Sequence, residues 1–520
     1  MATVAVKSRI VSIGIFQFNA LLLNFQTHQV LVQIGFSLQK LAILFVVFVS
    51  GIGALKAQAQ HLSVGVGATP MALSGDYRAL GWNPAHLTFS PMNSAWKSAI
   101  CGLEGAISVN STVLEREDLW DDLLNRGMSN ESWTGLTPGE WVNRLANEEI
   151  RVDFNLMTTG TAKHWKSWAG AYASRNVFFA ESYLNPSVTS LLVEGGASSL
   201  FEFTIIGTDT LLNQGGWSVE DLGNVIGGLN SNGQTLLSTI FQDSKLGMSW
   251  HRTHELGVSK QWNTARGWSI HTGAGGRFLL GNGYFNLTQT NGQLDAFGAF
   301  SNGFKIEQLD SLNFNNPTIS QIRNWGPVGQ GWGADLGLVI AFSDKVWASA
   351  SITDLGWMEW RGERYSFDDA LTNAWELGTS NPNEWIDMMQ LAMNPGTWFS
   401  NGVSETRRIN NGVGFHVGGG LRIGQELTLA GDASFDNPEL IGNSGTRFGL
   451  SCVFRPLKWL KFESGIRKVG SETIRVPAGF VLNTGHRGFE IGLQASDIIG
   501  IWRKTQSELG ARFCFFRWVW

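Results

Sequence analysis

His251-Arg-Thr-His254-Glu255 is the stretch of this 520-residue chain that comes nearest to a metal-binding pattern. Zinc chemistry of the His-Glu-x-x-His kind needs two imidazoles on one helical face with a carboxylate between them, and this order of residues does not provide it. On a strand, residues three apart point to opposite faces, so His251 and His254 could not share an ion. Gly329-Gln-Gly-Trp-Gly333 has the look of a dinucleotide fingerprint, but glycine-rich strands generate such strings by chance. The chain has no Gly-x-Ser-x-Gly elbow and no phosphate-binding loop. The three cysteines, Cys101, Cys452 and Cys514, are widely spaced and fit no metal pattern. They read as small apolar side chains, with a Cys452–Cys514 bridge as the alternative. No catalytic residue, cofactor or metal is expected, and the chain does not read as an enzyme. The net charge of −5 gives no electrostatic argument for a nucleic-acid partner.

The segment from Lys40 to Leu55 is one positive charge followed by an apolar run, and Ala57-Gln58-Ala59 behind it has the A-x-A form of a cleavage site. The run is shorter than the roughly 20 residues a spanning helix needs. Residues 1–59 therefore read as a signal-peptide region of an exported protein. Residues 1–35 lie upstream of the signal and suggest an early-placed start. No cysteine stands directly after the cleavage site, which argues against a lipid anchor. Beyond the signal no apolar run of 18 residues occurs, so helical membrane spans are excluded. Yet 63 glycines, 23 tryptophans and only 16% charged residues are unlike an ordinary secreted protein. A transmembrane β-barrel meets both conditions, because its spans are about ten residues of alternating polarity.

Such alternation recurs. In Ile150-Arg-Val-Asp-Phe-Asn-Leu156, Ile150, Val152, Phe154 and Leu156 face lipid while Arg151, Asp153 and Asn155 face the lumen. Trp268–Ala274 and Gly412–Leu421 alternate with glycine on one face. Gly333–Phe342 and Val346–Ile352 form a hairpin across Ser343-Asp344-Lys345. Trp332, Trp347, Trp357 and Trp360 suit the aromatic girdles of a membrane interface. Three stretches break the rhythm with helical patterning: residues 113–147, with Leu119, Trp120, Leu123 and Leu124 on one face and a capping box at Thr137-Pro-Gly-Glu140; the region of Ser218–Asp221; and residues 366–399. Long barrel loops commonly carry function, and these contain Trp133, Trp141, Trp375, Trp385 and Trp398.

Glu508-Leu-Gly-Ala-Arg-Phe-Cys-Phe515 resembles the β-signal by which outer-membrane barrels are recognised for insertion. Glu508, Gly510, Phe513 and Phe515 match it, and the barrel-assembly machinery is the partner it implies. Leu509, Ala511, Phe513 and Phe515 share the lipid face, with Gly510 and Arg512 inward. The pattern departs from the usual one in that Phe516–Trp520 follow it. Ala68–Leu87, with Trp82-Asn83-Pro84-Ala85, resembles the N-terminus of fatty-acid-transporter-like outer-membrane barrels. Ala348–Trp360, Pro477–Phe480 and Gly488–Leu493 also look like a branch of that superfamily found in Bacteroidota, related to the shuttle barrel of type IX secretion. The matches are scattered from residue 62 to the C-terminus.

The resemblance implies 14 antiparallel strands around an N-terminal plug in the outer membrane of a Gram-negative bacterium. The plug would cover residues 60–95, with a short helix from Met71 to Leu80 ended by Asn83-Pro84, and the barrel residues 96–520. Trp82, Asn83, Pro84 and Ala85 would form the constriction. Two functions follow: an accessory or scaffold subunit of an export or assembly machine, contacting an outer-membrane protein, or a transporter of hydrophobic, long-chain fatty-acid-like molecules. Interface-suited aromatics in the loops favour the first. Outer-membrane lipid surrounds either.

Overall fold

The alternation is realised as strands in a computed structural model. It describes residues 64, 68–91, 96–111, 138–215, 217, 224–230, 237–264, 267–290, 293–301, 326–343, 345–365, 374–375, 403–436, 445–469, 474–483, 488–502 and 508–520. Contacts divide the chain into Met1–Leu55 and Lys56–Trp520, and every described residue belongs to the second unit.

The strands are β1 (Ser98–Ser111), β2 (Glu149–Trp165), β3 (Trp168–Tyr183), β4 (Phe203–Ile206), β5 (Asp209–Leu212), β6 (Val225–Leu229), β7 (Lys245–Asn263), β8 (Trp268–Thr290), β9 (Gln293–Phe300) and β10 (Gly329–Phe342). They continue with β11 (Val346–Tyr365), β12 (Ala374–Trp375), β13 (Val403–Asn410), β14 (Gly414–Ile423), β15 (Leu427–Asp436), β16 (Gly445–Leu457), β17 (Leu460–Val469), β18 (Ala478–Asn483), β19 (Phe489–Ala495) and β20 (Glu508–Val519). Pairing runs β1-β2-β3-β7-β8-β10-β11-β14-β15-β16-β17-β18-β19-β20, and β20 returns to β1, so 14 antiparallel strands close a ring. Closure leaves the ring of strands without an open edge, the condition for a sheet in hydrocarbon.

The two faces have opposite chemistry. On β10, Gly331, Gly333 and Val339 point inward and are buried, whereas Trp332, Leu336, Leu338 and Ile340 point outward and are exposed. Leu256, Val258, Phe278, Leu450, Ile466 and Leu493 continue the outward apolar surface, and Arg175, Glu255, Arg277, Glu463 and Arg512 are buried inside. Apolar outside and polar inside is the arrangement of a membrane barrel. The expected faces of Ile150–Leu156 hold, with Arg151 buried inward. The tryptophan girdle is corrected. Trp332 and Trp357 pair on the outer face at 4.5 Å, but Trp347 and Trp360 share the inward register and are buried.

Short turns, such as Lys166-Ser167 and 424–426, lie at the end where β1 starts and β20 finishes; the long connections leave the opposite end. In outer-membrane barrels the long loops are extracellular. The wall is uneven. β7 and β8 have 19 and 23 residues, β18 and β19 only 6 and 7. At the long-loop end, outward Phe178, Ala180, Met248 and Leu287 are covered by one apolar cluster containing Val188 and Leu191 of the helix Pro186–Glu194. Asn185 caps that helix by accepting from Val188 N at 2.8 Å, with Pro186 in its first turn. The sequence reading missed it.

Of the stretches read as helical, Pro138–Leu145 is a helix; Thr137, Leu119, Trp120, Leu123, Leu124 and Ser218–Asp221 lie outside the described residues. Within 366–399 the described pair Ala374–Trp375 is strand, pairing with β6 in a small sheet ordered β12-β6-β4-β5. Strand β14 starts at Gly414 and not at Gly412, because Gly412 has φ 82. One position in the wall is filled twice. β9 and β10 both pair with β8 and β11, and their adjoining ends meet beside Gly281 and Asn282, where Ser301 N donates to the carbonyl of Asn282 and Val328 N to that of Gly281.

Candidate functional site: the N-terminal corner and the inner wall

Residues 68–91 run inside the ring, touching inward-facing residues all round it. The expected helix from Met71 to Leu80 is instead a helical turn at Pro70–Leu73 and a 3-10 turn at Asp76–Ala79. Ser74 and Gly75 between them are extended, and Asp76 is left-handed at φ 52. The reason is tertiary: the Asp76 carboxylate is held by Arg517 at 2.6 Å, from the far end of the chain, besides its local contact with Arg78 at 3.4 Å. Those ties outweigh helix propensity, which is a weak preference per residue.

Enclosed backbone must find partners, and the wall supplies many. Ala68 N donates to Ser451 Oγ at 2.7 Å and Met71 N to Asp432 Oδ2 at 3.0 Å. Trp347 Nε1 donates to the Ala72 carbonyl at 3.0 Å, which accounts for its inward turn. Ser351 and Ser259 hydroxyls donate to the carbonyls of Trp82 and Ala85 at 2.5 and 3.1 Å.

The Trp82-Asn83-Pro84-Ala85 corner is the tightest part. Asn83 is extended and opens a 3-10 turn over Pro84–Leu87, its Oδ1 accepting from Ala85 N at 3.0 Å. Its Nδ2 donates to two wall carbonyls, Leu338 and Ala350, each at 3.2 Å. Two glycines make the seat: a Cβ on Gly337 would overlap Asn83 Oδ1, and one on Gly273 would overlap the Pro84–Ala85 backbone. Trp82 lies edge-on to His416 at 5.6 Å, with the Arg447 guanidinium 6.0 Å from its ring. Burial drives the His86 pKa down to about 3, with His271 adding to the fall, so its imidazole is neutral. Burial, and then Glu104, raise the Tyr77 hydroxyl well above its ordinary value, and it donates to Glu104 Oε2 at 3.2 Å. Trp82, Asn83, Pro84 and Ala85 thus form one corner seated against β8, β10, β11 and β14. Gly273 and Gly337 were missed as its seat, having been read only as spacing on a strand face.

Beyond the corner the inner wall carries an ionic cluster and an apolar one. Arg277 reaches Asp335 at 3.0 Å and Asp354 at 2.5 Å, with all three side chains buried. Asp354 has φ 61, at a register shift between β10 and β11. Nearby, Phe179, Leu279, Phe297, Met358, Trp360 and Ile409 pack on the inward face, with Tyr284 5.0 Å from Trp360. Trp360 covers Gly281 and Gly329, the edge where β9 and β10 adjoin. An apolar inner wall is the reverse of the polar lining of a water-filled barrel.

The other expected residues fall as follows. Strand β20 continues through Phe516 to Val519, pairing with β1 and β19, so the residues after the β-signal extend the strand. Arg512 points inward and Phe515 outward. His251 and His254 lie on opposite faces, His251 buried beside Ser249 and His254 bonded to the Tyr172 hydroxyl at 2.9 Å. No metal-ligating cluster of three or more occurs among the described residues. Cys452 points outward and Cys514 inward, so that pairing is excluded. Trp141 lies on a helix and Trp375 on a strand; Trp133, Trp385 and Trp398 are outside the described residues.

Fold and faces together define an outer-membrane type of transmembrane β-barrel with an N-terminal segment folded inside it. A family of unknown function, DUF5723, matches residues 219–390. No curated protein matches the chain. Among solved structures, the toluene transporter TodX of Pseudomonas putida is similar at 10% identity and TM-score 0.40, over 88% of this chain and 97% of that one. The toluene transporter TbuX of Ralstonia pickettii is similar at 11% identity and TM-score 0.40, over 88% and 98%. A FadL homologue of Pseudomonas aeruginosa is similar at 8% identity and TM-score 0.38, over 90% and 99%.

Proposed function

We propose that the barrel passes hydrophobic small molecules, of the long-chain fatty-acid kind, across the outer membrane of a Gram-negative bacterium. In this reading residues 60–95 are a plug and Trp82, Asn83, Pro84 and Ala85 its constriction. The observation that supports it is the inward-facing apolar wall around Trp360, placed beside the doubly filled strand position. Water-conducting lumens have no use for such a surface, whereas an apolar solute gains by leaving water for it. Insertion would be directed by the barrel-assembly machinery through Glu508, Gly510, Phe513 and Phe515.

A scaffold role has its own support. The edge strand β5 carries exposed Leu211 and Leu212, and β6 exposed Ile226, which suits an outer-membrane protein partner. The two readings separate on gentle detergent extraction of the tagged protein and mass spectrometry of what co-elutes. Bound lipid or fatty acid without a protein favours transport, provided Trp360→Ala lowers the amount bound. A stoichiometric protein partner with no bound lipid favours the scaffold.

A further inference from the structure

On its outer face β8 carries small residues between two strands that carry large ones. Thr272, Ala274 and Gly276 point outward and are exposed, and a Cβ on Gly276 would meet open space. Opposite them on β7 stand Lys260, Val258 and Leu256, and on β10 Leu338, Leu336 and Ala334. β7 and β10 lie two strand spacings apart, about 9–10 Å, so their side chains enclose a shallow groove one hydrocarbon chain wide. Exposed Phe278 and Trp332 share the next outward rung and close the groove toward the long-loop end. From Thr272 to Phe278 it runs about 20 Å. At the short-turn end it meets a positive charge. The Lys260 ammonium stands 3.7 Å from the Trp262 ring centroid and 4.9 Å from that of Trp168, held by cation–π attraction. Trp262 is itself fixed, its Nε1 donating to Thr272 Oγ1 at 3.0 Å. Exposed Lys163 and Lys166 lie beyond Trp168, at the β2–β3 hairpin. No carboxylate faces outward among the described residues of β7, β8 and β10 that line the groove.

We propose that this groove holds one anionic glycerophospholipid of the leaflet at the short-turn end, an acyl chain lying along β8 and the headgroup phosphate on Lys260. Two complementarities carry the assignment. The groove is apolar along its length, with Val258, Leu256, Leu336 and Leu338 exposed as its walls, which suits a chain and not a headgroup. Its one charged end lies among exposed tryptophans, the residues that mark the headgroup level of a membrane. A ring face holds the Lys260 ammonium in place, while its three N–H groups serve phosphate oxygens. With Lys163 and Lys166 close by and no opposing carboxylate, the local field favours a headgroup of net negative charge over a zwitterionic one. Lipid elsewhere on the wall meets no such combination, so this molecule is a bound one and its neighbours are solvent. The inference is independent of what passes through the lumen.

The test uses the purified folded barrel in detergent and a phosphatidylglycerol whose acyl chain ends in a diazirine. Photolysis and peptide mapping should place the label near Gly276 and Phe278, at the closed end of the groove. Native mass spectrometry should show one phosphatidylglycerol retained per barrel, in preference to phosphatidylcholine of the same chains. Lys260→Gln should lower phosphatidylglycerol affinity about fivefold, the worth of one lysine at an anionic lipid surface. Gly276→Leu fills the floor and should release both lipids. Both positions are outward, and heat-modifiable migration checks that the variants fold. Label spread evenly around the ring, or equal retention of the two headgroups, would overturn the proposal. So would displacement by oleate as effective as by phosphatidylglycerol, which would make the site one for a carboxylate. If Lys260→Gln fails to insert, the label position and headgroup preference of the unaltered chain still decide.

Discussion

Asn83→Asp and Asn83→Ala are the pair of substitutions that most sharply tests the account of the corner. The native amide donates twice, to the carbonyls of Leu338 and Ala350 at 3.2 Å, and accepts once, from Ala85 N at 3.0 Å. Alanine removes all three bonds, at about 1 kcal/mol each, and leaves Ala85 N without its acceptor, for a total of about 2–4 kcal/mol against seating of the corner. At about 1.4 kcal/mol per tenfold, that raises the unseated population roughly a hundredfold. Aspartate is nearly isosteric and keeps the bond from Ala85 N, yet it turns an acceptor-only, charged oxygen toward two carbonyl oxygens. An unpaired buried charge costs several kcal/mol, so Asn83→Asp should be the worse variant at neutral pH. Protonation supplies one donor, so the gap should narrow at pH 4–5. The assays are protease release of an N-terminal tag from the folded barrel and conductance in planar bilayers. If Asn83→Asp is as protected and closed as the native chain at pH 7.5, or if alanine is the more damaging, the two carbonyl contacts do not hold the corner.

Gly273→Ala should unseat the corner at about 1–3 kcal/mol, because its Cβ meets Pro84–Ala85 backbone, while outward Gly276→Ala, with open space around it, should be silent in the same assays. Arg277→Ala leaves Asp335 and Asp354 buried without their counter-ion and should cost about 3–5 kcal/mol, read as an earlier urea midpoint for loss of heat-modifiable migration. His86 has a folded pKa of about 3, below an unfolded value near 6.5. The unfolded state therefore binds the proton first: the contribution is complete above pH 6.5 and is lost as pH falls toward 3, by up to about 1.4 kcal/mol per unit. His86→Phe should flatten that part of the urea-midpoint profile.

Strand faces were legible wherever period-two alternation was strict, as in Ile150–Leu156 and Gly333–Phe342, because a two-residue period leaves no choice of side. The alternation could not say which side was the lumen for a tryptophan. Trp347 and Trp360 look like girdle residues until their register is known, and register is set by partners far away in sequence. The Asn-Pro step marks a break in the chain, but it reads as the end of a helix, and in the structure Asn83 opens the 3-10 turn Pro84–Leu87. The seat of the corner was not legible, because Gly273 and Gly337 are ordinary members of glycine-rich strands until Asn83 is placed against them. The split of the inner segment into two short turns was likewise hidden, as the Arg517–Asp76 tie joins residues at opposite ends of the chain.

The uneven wall has a consequence for the surrounding lipid. Six residues at about 3.3 Å each, tilted by about 40°, rise only about 15 Å, against an apolar band of about 25 Å for outer-membrane barrels. On the β18–β19 side the bilayer must thin, or be met by other apolar surface, and exposed Ile474, Ile498 and Ile499 stand just beyond those strand ends. Thickness mismatch of this kind strains the lipid on one side of the protein only. The barrel therefore has a preferred side: acyl chains pack least well against β18–β19. A neighbour that relieves the strain, a short-chain lipid or another protein, will gather there before it gathers anywhere else on the rim.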